Sequence, residues 1–182
     1  VVMPSTPYDA KGLLKSAVRD NNPVIFIEHK KLYSTKGDVP EKEYTIEIGK
    51  ADVKKEGEDI TIICNSYMVL IAQQAAIILD EKYNINCEII DLRTISPLDI
   101  DTLIQSVKKT NKVVVLHEAC EQGGIGGEII SIIQKEAFDY LDYPILRICG
   151  PNTPVPYSPE LEDYFIPSAN TTVNKIVEHF KI

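Results

Sequence analysis

Residues Cys87-Glu88-Ile89-Ile90-Asp91-Leu92-Arg93-Thr94-Ile95-Ser96-Pro97-Leu98-Asp99 run from an apolar strand into the opening of a helix. Cys87 to Leu92 reads as the strand. Ser96 stands as an N-cap, and Pro97 takes the first helical position, where a missing N–H costs nothing. The same alternation extends both ways. Before it come a strand Ile60 to Cys64 and a helix from Ser66 to about Lys82, with Ser66 as N-cap and Val69, Ala72, Ala76 and Ile77 on the apolar side. After it come a helix Leu98 to Lys108, a strand Lys112 to His117, a helix Gly127 to about Phe138, a strand Ile145 to Cys149 and a last helix Thr171 to Phe180. Near-continuous apolar strands alternating with helices predict an α/β fold, a three-layer αβα sandwich around a mostly parallel sheet. Right-handed crossovers then gather functional loops at the carboxyl ends of the strands.

Upstream, a smaller unit repeats the pattern. Val1-Val2-Met3 reads as a strand, and Asp9 to Asp20 as a helix whose apolar face is Ala10, Leu13, Leu14, Ala17 and Val18. Asn22, before Pro23, ends that helix, and Val24 to Ile27 reads as a fully buried strand. This is the last βαβ of a doubly wound domain, and the apolar start at Val1 leads us to expect further chain upstream. Residues 36–47 read as a polar linker with Gly37 and Pro40 on or beside it, so the expected division is 1–35, 36–47 and 48–182.

The 182 residues carry 19 basic and 27 acidic side chains, a formal charge of −8. Phosphate binding needs clustered Lys and Arg, so nucleic acid and anionic membrane are not expected as partners. The four cysteines, Cys64, Cys87, Cys120 and Cys149, form no Cys-x-x-Cys pair. They read as reduced thiols of a cytoplasmic protein rather than as a zinc site.

Several clusters bear on chemistry. Gly123-Gly124-Ile125-Gly126-Gly127 joins a strand to a helix, yet Ile129 stands where a dinucleotide fingerprint needs its third glycine, and no Gly-Lys-Ser/Thr follows. A tight turn with close backbone contact is the reading that remains. The run Ala17-Val18-Arg19-Asp20-Asn21-Asn22-Pro23 gathers helix-end carbonyls with the side-chain oxygens of Asp20 and Asn22. Such a cluster suits a hard cation, or is a plain C-cap and turn. His117, at a strand's carboxyl end beside Glu118, is either a ligand contact or a structural histidine. His29 lies beside Glu28 and Lys30, and His179 ends the last helix. Asp91 and Arg93 either hold an interface or form a solvated pair worth little. Pro151 to Pro159 has four prolines in nine residues and predicts an extended segment laid on a surface.

Asp9-Ala-Lys-Gly-Leu-Leu-Lys-Ser-Ala, Arg19-Asp-Asn-Asn-Pro-Val, Cys87 to Asp99, His117-Glu-Ala, the Gly123 to Glu128 turn, Glu136-Ala-Phe, Leu141-Asp and Thr153-Pro-Val-Pro-Tyr occur in this order along the chain. Together they resemble the C-terminal part of the β subunit of thiamine-diphosphate-dependent 2-oxo acid dehydrogenases, whose members act on pyruvate, branched-chain 2-oxo acids or acetoin. The resemblance covers essentially the whole chain. It implies the end of a pyrimidine-binding domain followed by a transketolase C-terminal domain.

The resemblance implies further that thiamine diphosphate with Mg²⁺ sits between α and β subunits of an αα/ββ tetramer. The partners would then be an α subunit, a second β subunit and the docking domain of a dihydrolipoyl acyltransferase. The catalytic glutamate and histidine of the β subunit would lie upstream of Val1, so none is expected here and the isolated chain would be inactive. A potassium ion would be held at positions matching Ala17, Val18, Asp20 and Asn22. Asp139, Asp142, Glu160, Glu162 and Asp163 are candidates for meeting a basic docking domain. The expected location is cytoplasmic, or the mitochondrial matrix or plastid in a eukaryote. The alternatives are a free-standing assembly module of transketolase C-terminal type and a related transketolase-like enzyme.

Overall fold

In the computed structural model, which describes residues 1–182, the chain builds one five-stranded sheet with helices on both faces. The elements are α1 (Pro7–Arg19), β1 (Asp52–Lys55), β2 (Ile60–Cys64), α2 (Met68–Tyr83), β3 (Cys87–Asp91), α3 (Ile100–Thr110), β4 (Val113–Cys120), α4 (Ile125–Ala137), β5 (Leu146–Gly150), α5 (Pro159–Phe165) and α6 (Ala169–Phe180). Strand order is β1-β3-β2-β4-β5. All neighbours run parallel except β1, which pairs antiparallel with β3 at the edge. The expected three-layer αβα arrangement is present.

Strand alternation sorts the core into two layers. Ile62, Cys64, Ile89, Val114, Leu116 and Ile148 face α2 and α6, where Met68, Ala72, Leu79, Ile176 and Phe180 meet them. Ile63, Ile90, Val113 and Val115 face α3 and α4, packing on Leu103, Val107, Ile129 and Ile133. With both faces covered, β2 and β3 are buried along their whole length, polar positions included. Thr61 satisfies its hydroxyl on Ser106 and Thr110 of α3 at 2.6 and 2.7 Å. Glu88 does the same with Ser106 and Lys109. No helix is long and apolar enough to cross a membrane.

The structure corrects several local expectations. Ser96 does not cap α3: the Ser96–Pro97 peptide is cis, and Asp99 is the cap, accepting from the Thr102 amide at 3.3 Å. Ser66 does not cap α2. It has a left-handed backbone (φ 54°), and its buried hydroxyl has no partner. Val1 to Met3 and Val24 to Ile27 are not strands; only Val2 bridges Phe26 on one side and Thr94 on the other. Nor is the second run fully buried, since Ile25 is 61% exposed.

Helix α1 is also turned from its expected orientation. Asp9, Gly12 and Leu13 face inward, while Leu14 and Val18, the latter 78% exposed, face out. Polar contacts set that rotation: Asp9 is drawn onto cations of the sheet. Gly12 lets Ile46 lie against the helix, because a Cβ there would fall 2.6 Å from the Ile46 side chain. Tyr44 stacks on Tyr8 at 4.6 Å and donates its hydroxyl to the Tyr8 carbonyl. The irregular residues around 36–47 therefore run along α1. Residues 151–158 are irregular and mostly exposed, and α5 follows them with Pro159 in its first turn.

Candidate functional site

The loops after β2 and β4 diverge at their carboxyl ends, because α2 covers one face of the sheet and α4 the other. A crevice forms at such a switch point in open α/β sheets. Here it is a cavity of about 490 Å³, reached by Met3 and His29 from the N-terminal segment, Asn65 to Tyr67 after β2, His117 to Cys120 on β4, and Phe165 near the C-terminus.

His117 is 2% exposed, and neither ring nitrogen has a hydrogen-bond partner. Its ring is wedged against the glycine turn: a Cβ at Gly126 would lie 2.5 Å from Nε2, and one at Gly124 would lie 2.7 Å from Cε1. The glycine-rich run thus accommodates an imidazole, in agreement with the close-contact reading, and leaves no open cradle for a phosphate. Burial, and then the Arg147 guanidinium, hold the His117 pKa below the ordinary histidine value, so the ring is neutral at neutral pH.

The histidine in polar contact at this end is His29. Its Nε2 meets Glu118 Oε2 at 2.8 Å, and its ring stacks on Tyr67 with centroids 5.0 Å apart. Lys31 approaches Glu162 at 3.6 Å and stands over the same Tyr67 ring at 5.7 Å. Residues 29–31 therefore strap the N-terminal segment across the mouth of the cavity. Sequence reading placed His29 only beside Glu28 and Lys30, because its partners are distant in the chain. Ser66 Oγ hydrogen-bonds to no base, so these side chains form no nucleophile–base pair.

A second cluster lies where α1 meets the β1–β3 edge. Asp9 and Asp91 are completely buried. Lys54 Nζ lies 2.6 Å from Asp9, 2.7 Å from Asp52 and 3.7 Å from Asp91. Ser5 donates its hydroxyl to Asp91 Oδ2. The expected Asp91–Arg93 pair is not a side-chain pair. The Arg93 amide donates to Asp91 Oδ1 at 3.0 Å, while its guanidinium reaches Asp9 at 3.2 Å and the carbonyls of Lys50 and Ala51. Neither expected form of the pair is present: each side chain instead bonds separately to the N-terminal segment, Asp91 to Ser5 and Arg93 to Asp9.

Burial opposes the ionised form of Asp9, yet Lys54, Thr6 and Arg93 together hold its pKa below the ordinary value. For Asp91 burial prevails over Lys54 and Ser5, and its pKa is pushed up to about 6. Burial likewise works against the charge on Lys54, but Asp91, Asp52 and Asp9 hold its pKa above the usual ammonium value.

The third place is the end of α1. Arg19 is its last residue and pairs with Glu43. Asp20 and Asn22 come together: Asp20 Oδ1 accepts from the Asn22 amide at 2.8 Å and from its Nδ2 at 3.0 Å. Those two bonds hold the exposed Asp20 carboxyl below the ordinary value. Because the Asn22 amide turns to Asp20, it does not return to the Val18 carbonyl. Ala17 and Val18 stand in the last turn, where carbonyls lack intrahelical partners.

The family described as "Transketolase, C-terminal domain" matches residues 49–171, and "Transketolase, pyrimidine binding domain" matches residues 1–36. The chain belongs to the transketolase C-terminal domain family. It is 50% identical to the pyruvate dehydrogenase E1 component subunit beta of Bacillus subtilis, over 98% of this chain and 55% of that protein. The 2-oxoisovalerate dehydrogenase subunit beta of the same organism is also 50% identical, over 91% and 51%. The beta subunit of its acetoin:2,6-dichlorophenolindophenol oxidoreductase is 46% identical, over 97% and 52%. The chain thus spans about half the length of the curated relatives it matches.

Among solved structures, a split-gene transketolase, described as an inactive beta4 tetramer, superposes with a TM-score of 0.82. That match covers 99% of this chain and 57% of the other at 23% identity, and shows the shared fold. Thiamine diphosphate dependence is a property of the family.

The residues present do not form a seat for that cofactor's diphosphate and its metal. The glycine turn is filled by His117, and the point where Asp9, Asp52 and Asp91 converge is filled by the Lys54 ammonium.

Proposed function

We propose that this chain is the C-terminal part of the β subunit of a thiamine-diphosphate-dependent 2-oxo acid or acetoin dehydrogenase. The observation that carries the reading is identity of 46–50% over nearly the whole chain to β subunits of three such enzymes. Within that assembly the chain contributes part of the pyrimidine-binding domain, in residues 1–36, and the C-terminal domain, in residues 49–171. Its partners are an α subunit, a second β subunit and the basic docking domain of a dihydrolipoyl acyltransferase. The acidic residues Asp139, Asp142, Glu160, Glu162 and Asp163 offer the complementary charge. The catalytic groups and the Mg²⁺–diphosphate seat lie on other parts of the assembly, and the isolated chain is inactive. The four free thiols suit a reducing compartment such as the cytoplasm.

The longer polypeptide that carries this chain, purified with its α partner, is expected to oxidise pyruvate, a branched-chain 2-oxo acid or acetoin with a dye acceptor. Turnover should require added thiamine diphosphate and Mg²⁺, and the 182-residue chain alone should give none. No cofactor-dependent turnover on any of the three substrates would reject the reading.

Within the same reading, Ala17, Val18, Asp20 and Asn22 hold potassium through two backbone carbonyls and two side-chain oxygens. Support comes from the turn at Asn22, which leaves those carbonyls outside the helix hydrogen-bond ladder. The assembly is expected to melt roughly 2–4 °C higher in potassium than in sodium at equal ionic strength. Asp20→Ala should remove the difference. Equal melting of the unaltered assembly in the two salts would exclude the site.

A further inference from the structure

The N-terminal segment and the five-stranded unit meet through a buried group of charges that does not balance. Three carboxylates, Asp9, Asp52 and Asp91, face two cations, Lys54 and Arg93, leaving one surplus negative charge. Every element around Asp91 contributes. Ser5, Thr6 and Asp9 come from the start of α1, Asp52 and Lys54 from β1, and the Arg93 amide follows β3. The uncharged Cys64 thiol of β2 stands opposite Asp91 in the parallel register. Asp52 is part-exposed, so water screens it, whereas Asp9 and Asp91 have no such relief.

Ser5 lies between the two buried carboxylates. Its single hydroxyl hydrogen is directed chiefly to Asp91, the nearer acceptor, and Asp9 Oδ2, at 3.5 Å, receives at most a weak share of it. A proton added to Asp91 would change this. Asp91 would then donate to Ser5 Oγ, and the serine hydrogen would be free to turn to Asp9, which Lys54, Thr6 and Arg93 keep ionised. One continuous hydrogen-bond chain would join β3 to α1, and the net charge of the whole cluster, part-exposed Asp52 included, would fall from −1 to zero.

We propose that Asp91, Ser5 and Asp9 form a proton-operated latch, in which one proton taken from solvent tightens the docking of α1 on the β1–β3 edge. Burial, which pushes the Asp91 carboxyl up to about 6 from an ordinary value of 3.8, places the working range just below neutrality. The sign follows from linkage. Between pH 3.8 and about 6 the docked state binds more protons than the open one, so docking strengthens as pH falls and weakens as pH rises through 6.

The test is amide hydrogen exchange of residues 7–19 in this chain, corrected for the intrinsic pH dependence of exchange. Protection of α1 is expected to be roughly tenfold greater at pH 5 than at pH 7.5. Asp91→Asn, neutral at every pH, should give high protection with no change across that range, which separates the effect from the titration of histidines. Ser5→Ala removes a bond that favours the ionised Asp91 carboxylate, so it should lower protection at pH 7.5 and widen the difference between the two pH values. Equal protection at the two pH values in the unaltered chain, or an unchanged slope in Asp91→Asn, would overturn the latch. Should that variant not fold, a carbon-13 titration of the Asp91 carboxyl decides: a midpoint near 6 supports the latch, and one below about 4.5 overturns it.

Discussion

Lys54→Met is expected to cost about 3–5 kcal/mol of stability at pH 7.5, because it leaves two completely buried carboxylates without their shared cation. Methionine keeps most of the aliphatic stem, so the loss is electrostatic rather than a packing defect. Arg93 does not compensate: it reaches Asp9 at 3.2 Å but gives Asp91 only its backbone amide. The pH dependence should be distinctive. Ionised Asp91 already costs the folded state about 3 kcal/mol relative to its protonated form, from the rise of its pKa to about 6. Removing Lys54 raises that pKa further, so the damage should shrink between pH 7.5 and pH 5 as Asp91 takes up a proton. Below pH 4 it should shrink further, because the parent there loses the stabilisation that Lys54 gives ionised Asp9, which the variant never had. Urea denaturation at pH 7.5 and pH 5 measures both effects. A loss under 1 kcal/mol at pH 7.5 would show that the cluster is not what holds α1 to the sheet.

Gly57→Ala is expected to cost about 3 kcal/mol or more, or to prevent folding. Gly57 precedes β2 and lies flat against the start of β3. A Cβ there would collide with the carbonyl carbon of Cys87 and the amide nitrogen of Glu88. Those are backbone atoms of a central strand, so no side-chain rotation relieves the clash. The neighbouring turn is tied down as well, since the Glu58 and Asp59 amides both donate to the Asn86 carbonyl at 3.1 Å. Gly127→Ala is the control. Its nearest neighbour would be an Arg147 nitrogen at 3.4 Å, and alanine favours the helix by roughly 0.5–1 kcal/mol. Thermal melting of the two variants should separate them widely. Similar midpoints would mean that the β2–β3 entry yields more readily than its geometry implies.

The contrast between those glycines also marks how far the sequence could be read. Strands β2 to β5 and helices α2, α3, α4 and α6 were legible because each buries apolar residues at the period of its own geometry. Ile62 and Ile63 lie on opposite faces of one strand, and both faces are covered. Helix α1 was found but turned wrongly. Its apolar count favoured Leu14 and Val18, while the docking is governed by Asp9, whose burial makes sense only beside Lys54 and Arg93 more than forty residues away. The same remoteness hid His29, which earns its place from Glu118 and Tyr67. His117 was singled out as a ligand contact or a structural histidine, but nothing local foretold that its ring lies against Gly124 and Gly126 with neither nitrogen bonded. Ser96 made a plausible cap, but the helix starts after Asp99, whose carboxylate bonds the Thr102 amide and hydroxyl. Local chemistry names residues well; which of them meet depends on separations along the chain that no window of sequence contains.

The irregularity of β1 carries a consequence beyond the latch. The strand ends the sheet, and its register against β3 slips between Val53 and Lys55. At that slip Lys54 turns inward to its carboxylates, and Lys55 reaches the Asn86 side chain and the Cys87 carbonyl. A kinked edge with an inward charge is a poor template for an incoming strand from another molecule. The side chain that fastens α1 to the domain therefore also guards the open margin of the sheet against aggregation.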